Sequence, residues 1–454
     1  MNAQMLRAPL YWVVRALCFL GFLPLLARFY ASRILKGTPA SLKRPDAPYT
    51  LLALNPNRFR GDLDCLAGTG QFNILIFPFQ WQCRILSLYW YRLGEFTQYF
   101  APPENSRTAA VRKATQRFLA KFLPLLFQYL GVDAVISAAL HYKQDTDYGE
   151  VANDLGYPYI VFHRENFITN KGHMQRFLQF YGSFNKFKGS LIATHNEVAR
   201  EAFIRTVAEP DQVKALGCLR MDEYLERVRK PRPPRTGKKR VALFSFVHVV
   251  GLFGFGNSFS QDRSNGFIEL FDHVHGGIAR LAAEMHDTEF VIKPKWAGTW
   301  LDHITAAVER AGLRADDLPN LRITADVNAQ DLILESDVVV AFGSTTAMEA
   351  AIAGLPVIFP LFDEALDPRY EDYIQLLHDR DAFDVANSCE HFAELIRQRL
   401  DNPVIDEETM ALRKRLFIKY ISPVDYSAVS AYSETLGQLI DQARQKRKGV
   451  QTIR

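Results

Sequence analysis

Residues 335–360 read ESDVVVAFGSTTAMEAAIAGLPVIFP, and the fold class follows from how this stretch divides. Asp337 to Phe342 is a short β-branched and aromatic run. It has the length of one buried parallel strand and is too short for a helix. Gly343-Ser344-Thr345-Thr346 is a small-residue turn rich in hydroxyls. Ala347 to Ala353 holds strong helix formers, Gly354 stands where such a helix ends, and Pro356 to Phe359 opens a second apolar strand. Strand, turn, helix and strand make one βαβ unit. Its turn sets backbone N–H groups and the positive end of a helix where a phosphate would sit. The same residues carry a plainer reading, because Thr346 and Glu349 have the spacing of a capping box that satisfies the helix's own first turn.

The rest of the chain repeats this α/β pattern. At 454 residues it exceeds one ordinary core, and two domains fit the usual size range. Hydrophobic content of 48% with 23% charged residues is that of a folded globular protein. A net charge of +4 over this length argues against a dedicated nucleic-acid binder, and suits work beside anionic lipid or phosphorylated substrates. Five scattered cysteines form neither a metal motif nor a disulfide framework, which points to a reducing, cytoplasmic compartment.

Upstream, Arg227 to Arg240 reads RVRKPRPPRTGKKR, a basic proline-rich stretch that resists regular structure and reads as an interdomain linker. This gives an apolar segment at 1–36, a first domain at 37–226, the linker at 227–240, a second domain at 241–430 and a terminal helix with a basic tail at 431–454. In the apolar segment the longest clean run, Ala16 to Ala27, is short of the roughly 20 residues a spanning helix needs. It reads as an in-plane amphipathic segment, with Arg7, Arg15, Arg28, Arg33 and Lys36 toward anionic headgroups, or as a helix buried in the protein's own core.

In a parallel sheet ligands gather at the carboxyl ends of strands. Tyr49–Leu54 is a first strand, and the loop after it carries Asp62 and Asp64, candidate general bases or turn residues. Tyr157–Phe162 runs into His163-Arg164-Glu165-Asn166, a titratable cluster suited to proton transfer and anion binding, or an exposed loop with an Arg–Glu pair. Glu165 ranks first among these carboxylates and Asp62 second. Glu289–Lys293 ends in Lys293-Pro294-Lys295, and a charged loop with Asp363, Glu364, Asp367 and Arg369 follows Pro360. That spacing is not a calcium loop, and no metal is assigned.

The opening stretch resembles the nucleotide-binding segment of GT-B glycosyltransferases: aspartate and apolar strand, Gly-Ser/Thr-Thr, a helical glutamate, then Ala-x-Gly-x-Pro-Val-Ile. The resemblance implies that Gly343, Ser344, Thr345 and Thr346 face the donor's phosphates and that Glu349 faces its ribose. It implies the first loop of the second domain also faces the donor, with Ser245, His248 and the glycines of 251–256. Lys293-Pro294 resembles the Lys-Pro-His-Pro element of sialyl- and Kdo-type transferases, with Lys295 where the histidine would be. Gly217-Cys218-Leu219-Arg220-Met221-Asp222 resembles the Gly-x-Pro-Arg-x-Asp segment of surface-carbohydrate transferases and glycerophosphotransferases, with Leu219 replacing the proline. That similarity sets Arg164, Gly217, Arg220 and Asp222 at an interdomain cleft.

The family implied is a bacterial surface or capsular polysaccharide glycosyltransferase. Two Rossmann-like domains would face a cleft, with no cofactor or metal and with Glu165, Asp62 or His163 in proton transfer. Its partners would be a nucleotide-sugar donor (CMP-, CDP- or UDP-linked), a glycan or lipid-linked acceptor, and the inner face of the cell membrane. Alternatives are a polyol-phosphate transferase, a nucleotide-sugar epimerase and a non-catalytic capsule assembly protein.

Overall fold

The computed structural model describes residues 8–37, 39–90, 98–231, 237–246 and 266–452. The chain forms two compact units: Met1–Asn166 with Phe177–Asp222 and Ser422–Arg454, and Phe167–Arg176 with Glu223–Ile421. In chain order the first stretch runs α1 (Ala8–Phe19), α2 (Leu23–Gly37), β1 (Tyr49–Leu54), α3 (Asp62–Gly68), β2 (Phe72–Phe77), α4 (Phe79–Leu86) and α5 (Arg107–Leu130). It continues with β3 (Ala134–Ser137), α6 (Lys143–Asp154), β4 (Tyr159–Phe162), α7 (Lys171–Gly182), β5 (Leu191–Thr194), α8 (Glu197–Ile204), β6 (Val213–Ala215) and α9 (Met221–Arg229). Then come β7 (Lys239–Phe244), α10 (Ile268–Glu284), β8 (Thr288–Lys293), α11 (Thr299–Arg310), β9 (Leu321–Ile323), α12 (Ala329–Leu334), β10 (Val338–Ala341) and α13 (Thr345–Ile352). The last elements are β11 (Val357–Pro360), β12 (Asp384–Ala386), α14 (Cys389–Asp401), α15 (Glu407–Tyr420) and α16 (Ala428–Thr452).

Each unit is built on a six-stranded sheet in which every pairing is parallel. The expected α/β class, with two Rossmann-like layers, is what these sequences form. β3, β4, β5, β10 and β11 are buried at every position, the pattern of strands covered on both faces by helices. The orders differ. The first unit runs β2-β1-β3-β4-β5-β6 and the second β12-β11-β10-β7-β8-β9. Chain order therefore reverses between β1 and β3 in one and between β7 and β10 in the other, and crevices for ligands open at such reversals.

Caps account for several helix starts. The side chains of Ser106, Asn196, Asn328 and Ser388 accept backbone N–H groups of α5, α8, α12 and α14. The segment read as a linker is shorter than its composition suggests, since α9 runs to Arg229 and β7 starts at Lys239. Residues 422–430, read as second-domain, belong to the first unit. There Tyr432, Leu436 and Ile440 of α16 enter the core of β1–β5. The tail is not a free basic stretch: Arg444 grips Asp133 at 2.7 Å, and Arg447 donates to the Gly156 carbonyl at 2.5 Å. Arg444 and Arg447 are thus paired within their own unit.

α1 and α2 are consecutive helices in contact with each other, and α2 packs on α5 and β2. Leu26, Ala27 and Tyr30 are fully buried, Tyr30 packing edge-on against Phe77, Trp81 and Phe122. Among the described residues no helix is long and apolar enough to cross a membrane.

Candidate functional site

In the second unit the stretch that opened the sequence lies at the order reversal. β10 pairs with β7 through Val338↔Val241 to Ala341↔Phe244, so the Gly343 turn emerges beside the end of β7. Gly343 has φ +56, and a Cβ there would stand 3.3 Å from the Gln375 backbone nitrogen and Cβ, so a larger residue would push the turn out of place. Gln375 is itself fixed, accepting from Thr169 Oγ1 at 2.5 Å and donating to the Phe167 carbonyl at 3.1 Å.

The capping box is corrected by this geometry. Helix α13 begins at Thr345, and its cap is Ser344, whose Oγ accepts from Thr346 N at 3.3 Å and lies 2.8 Å from Thr346 Oγ1. Glu349 sits deeper in the helix, is 5% exposed, and accepts from Gln330 Nε2 at 3.3 Å. Its carboxylate is therefore not spent on the first turn, while three half-buried hydroxyls and the helix start remain together at the strand end.

On the other side of β7, β8 ends at Lys293, which is 8% exposed and donates to the Pro294 and Ala325 carbonyls at 3.3 Å each. Burial lowers its pKa and Asp326 opposes that shift. Between the two lies Ser245, whose partners the sequence reading missed. His275 Nδ1 lies 2.6 Å from the Phe271 carbonyl, which can only accept, so Nδ1 carries the proton and Nε2 accepts from Ser245 Oγ at 2.9 Å. Trp300 Nε1 donates to the same oxygen at 2.8 Å. His275 is hidden in sequence because it occupies a core position of the apolar helix α10. His248 and the glycine-rich loop at 251–256 fall outside the described residues.

The charged loop after β11 places Asp363 against His273, at 2.6 Å, with Cys389 alongside; the three donor atoms lie within 4.8 Å of one another. The hydrogen bond joins two of the three, His273 and Asp363.

In the first unit, the strand ends gather residues far apart in sequence. Asp62, at the start of α3, is 3% exposed and its Oδ1 has no hydrogen-bond partner among the described residues. Arg164, at the end of β4, holds its Nε 3.7 Å from the other Asp62 oxygen and donates to the Arg58 carbonyl. Burial raises the Asp62 pKa, and Arg220, Arg164 and Arg60 pull it back. His195, after β5, faces the same charges; burial foremost, then Arg220 and Arg164, keep its imidazole neutral. Three cations thus surround one carboxylate.

The predicted residues around this cluster separate. His163 is fully buried, boxed by Phe203 at 4.6 Å, Tyr181 at 5.7 Å and Phe177 at 6.2 Å, and burial drives its pKa down. That placement removes it from direct proton transfer, because an enclosed neutral imidazole meets no substrate. Glu165 is exposed, and its charge acts on His141, which is hydrogen-bonded to Tyr181 Oη at 2.8 Å. Asp222 has a structural task, accepting from Ser427 Oγ and the N–H groups of Ala428 and Val429 at 2.6–3.0 Å as the cap of α16. Gly217 is required because a Cβ would lie 2.9 Å from Ala428 Cβ and 3.0 Å from Ser422 Oγ. The matched segment therefore divides: Arg220 faces the charged cluster, while Gly217 and Asp222 seat α16. An open pocket of about 590 Å³ lies beside the loop after β1, lined by Leu42, Asn57, Arg60, Asp64 and Phe79 among others.

No family model matches this chain, and no curated protein matches it in sequence. Among solved structures it is similar to the UDP-GlcNAc 2-epimerase of Neisseria meningitidis bound to UDP-GlcNAc, at 12% identity over 86% of this chain and 99% of that one, with a TM-score of 0.47. It is similar to a glycosyltransferase from Rickettsia africae, at 12% identity over 87% and 98% with a TM-score of 0.45. A trehalose 6-phosphate synthase from Burkholderia multivorans gives 10% identity over 89% and 98%, with a TM-score of 0.42.

Proposed function

We propose that the chain is a GT-B glycosyltransferase that moves a sugar from a nucleotide-activated donor to a surface-polysaccharide or glycolipid acceptor. The observation that carries the reading is the Gly343–Thr346 turn, which sets the N-terminus of α13 at the order reversal of the second sheet, next to β7 and one strand away from Lys293. A diphosphate there would take charge-assisted hydrogen bonds from the turn and the helix end. Glu349, buried and turned from the cap, is the ribose contact in this reading. Lys293 would draw the negative charge that grows on the leaving nucleotide.

On the acceptor side, Glu165 is the base, because it is exposed to an incoming hydroxyl, whereas the orphaned oxygen of Asp62 is enclosed. Asp62 then holds Arg164 and Arg220 in place. The reading requires no metal or cofactor. It places the protein at the inner face of a bacterial membrane, in capsule or surface-glycan synthesis. An epimerase uses the same nucleotide site without an acceptor, and a polyol-phosphate transferase or a non-catalytic assembly protein shares the fold.

Thermal-shift titration with UDP-, CDP-, CMP- and GDP-linked sugars tests this, because a ligand that binds only the folded state raises the melting temperature. One donor class should stabilise the wild type, and Ser344→Ala with Thr345→Val should abolish the shift. Silence toward every nucleotide overturns the proposal, and turnover of the donor to an epimer without transfer replaces it with epimerisation.

A further inference from the structure

The described residues include thirteen large hydrophobic side chains that stand exposed, and six of them fall within fourteen consecutive residues. Trp12 is 62% exposed, Val13 46%, Phe19 90%, Leu20 62%, Phe22 52% and Leu25 57%. They lie along α1 from Trp12 onward, in the turn and at the start of α2, while Leu26 and Tyr30 farther along α2 are buried. So many exposed large apolar side chains in so short a stretch are unusual on a monomer unless something covers them.

The turn is built and not frayed. Phe22 N–H donates to the Leu17 carbonyl at 3.0 Å, Gly21 N–H to Cys18 at 3.2 Å, and Gly21 has φ +76. These two bonds and a left-handed glycine are a Schellman motif, which holds Phe19, Leu20 and Phe22 out on a fixed loop. The two helices, of 12 and 15 residues, are about 18 and 22 Å long, against a hydrocarbon layer of about 30 Å. They are too short to span and long enough to lie in an interface.

Charge selects the occupant. No acidic residue precedes Asp46, while Arg7, Arg15, Arg28, Arg33, Lys36, Lys43 and Arg44 do. Arg15 and Arg28 are exposed beside the apolar tip, with the Arg15 guanidinium 5.8 Å from the Trp12 ring. An aromatic-rich apolar tip ringed by arginines matches the layering of an anionic bilayer, acyl chains below and phosphates at the rim.

We propose that the α1–α2 turn inserts into the surface of an anionic lipid bilayer and seats the first unit there. The pocket beside the loop after β1 is tied to this seat. Phe79 lines that pocket and is 42% exposed, and Trp81, two residues on, packs 5.6 Å from the rings of both Phe29 and Tyr30 of α2. A polar head group carried on a lipid reaches Arg60 and Asp64 in that pocket without leaving the surface. The inference deepens the reading above by naming the partner of the acceptor-side unit, and rests on that reading only for the molecule in the pocket.

Flotation of the full chain with vesicles, in the absence of nucleotide, tests it independently of donor binding. The wild type should float with vesicles that mix phosphatidylcholine and phosphatidylglycerol, and far less with phosphatidylcholine alone. Phe19→Glu/Leu20→Glu/Leu25→Glu should lose flotation more than tenfold with an unchanged melting temperature, since these side chains face solvent. Arg15→Gln/Arg28→Gln should lose about tenfold on the anionic vesicles only. Wild type that stays at the bottom of both gradients overturns the proposal, as does a triple variant that floats equally well. A wild type that dimerises in light scattering, does not float, and becomes monomeric in the triple variant shows that a second copy covers the tip, and also overturns it.

Discussion

The two units share a layered plan and differ in how their strand ends are made chemical. In the second, the functional groups come from one contiguous stretch, Gly343 to Glu349, with Lys293 and Ser245 on neighbouring strand ends. What that strand end offers is mostly backbone: a helix start, a positive-φ glycine and short hydroxyls. In the first, Arg60, Asp62, Arg164, His195 and Arg220 come from segments after different strands, and what they offer is side-chain charge. A backbone site tolerates sequence drift around a few small residues. A charge cluster fails when one member is lost, because its neighbours are then buried without compensation.

That contrast can be broken at several points. The largest effect is expected at Glu165. If it is the base, Glu165→Gln lowers kcat by about 10²–10⁴-fold with little change in donor affinity, as loss of a positioned base does. Wild-type turnover in steady-state kinetics would move the base elsewhere.

Next is the hydroxyl turn. Ser344→Ala with Thr346→Val should weaken nucleotide binding at least tenfold by calorimetry. The stability cost should stay near the roughly 1 kcal/mol of a lost helix cap. A stability loss with unchanged affinity would return the turn to a purely structural role.

Buried carboxylates of the first unit give a pH signature. Asp145 is wholly buried, neither oxygen has a partner among the described residues, and burial raises its pKa well above the ordinary value. With the folded pKa above the unfolded one, the unfolded chain releases its proton first as pH rises, so this group costs stability above the ordinary carboxylate range and not below it. Asp145→Asn should therefore be more stable than wild type at neutral pH by about 1–3 kcal/mol. The gap should close on acidification toward the ordinary aspartate range. A gap independent of pH in denaturation curves would reject the assignment.

The smallest effect separates structure from chemistry within one segment. Asp222→Ala should cost about 1–2 kcal/mol, the loss of the α16 cap, and leave kcat/KM of the remaining folded protein intact. Arg220→Gln should lower kcat/KM as well as stability, because it removes a charge that offsets the burial of Asp62.

These outcomes bear on what was legible in advance. The βαβ unit at 335–360 could be read because strand, turn and helix are local, and each leaves a pattern within a few residues. The caps at Ser106, Asn196 and Asn328 are of the residue types that favour a helix start, and each acts within three residues. Helix ends near the linker were misjudged because Arg227 and Arg229 ride on α9, where basic residues favour a helix C-terminus as much as a loop. His163 looked catalytic because it ends a strand beside Arg164. Only packing shows that Phe177, Tyr181 and Phe203 enclose it.

The sequence by itself determined the α/β class, the parallel strands and the hydroxyl turn at the start of α13, because these rest on periodicity, residue size and local capping. Tertiary structure alone decided that Glu349 is buried against Gln330 of α12. It also decided that Asp62 meets three arginines, that Asp222 and Gly217 serve α16, and which part of the α1–α2 pair is left bare. Each of those depends on side chains brought together from distant positions, and such meetings are set by the order of strands in a sheet, which no local pattern records.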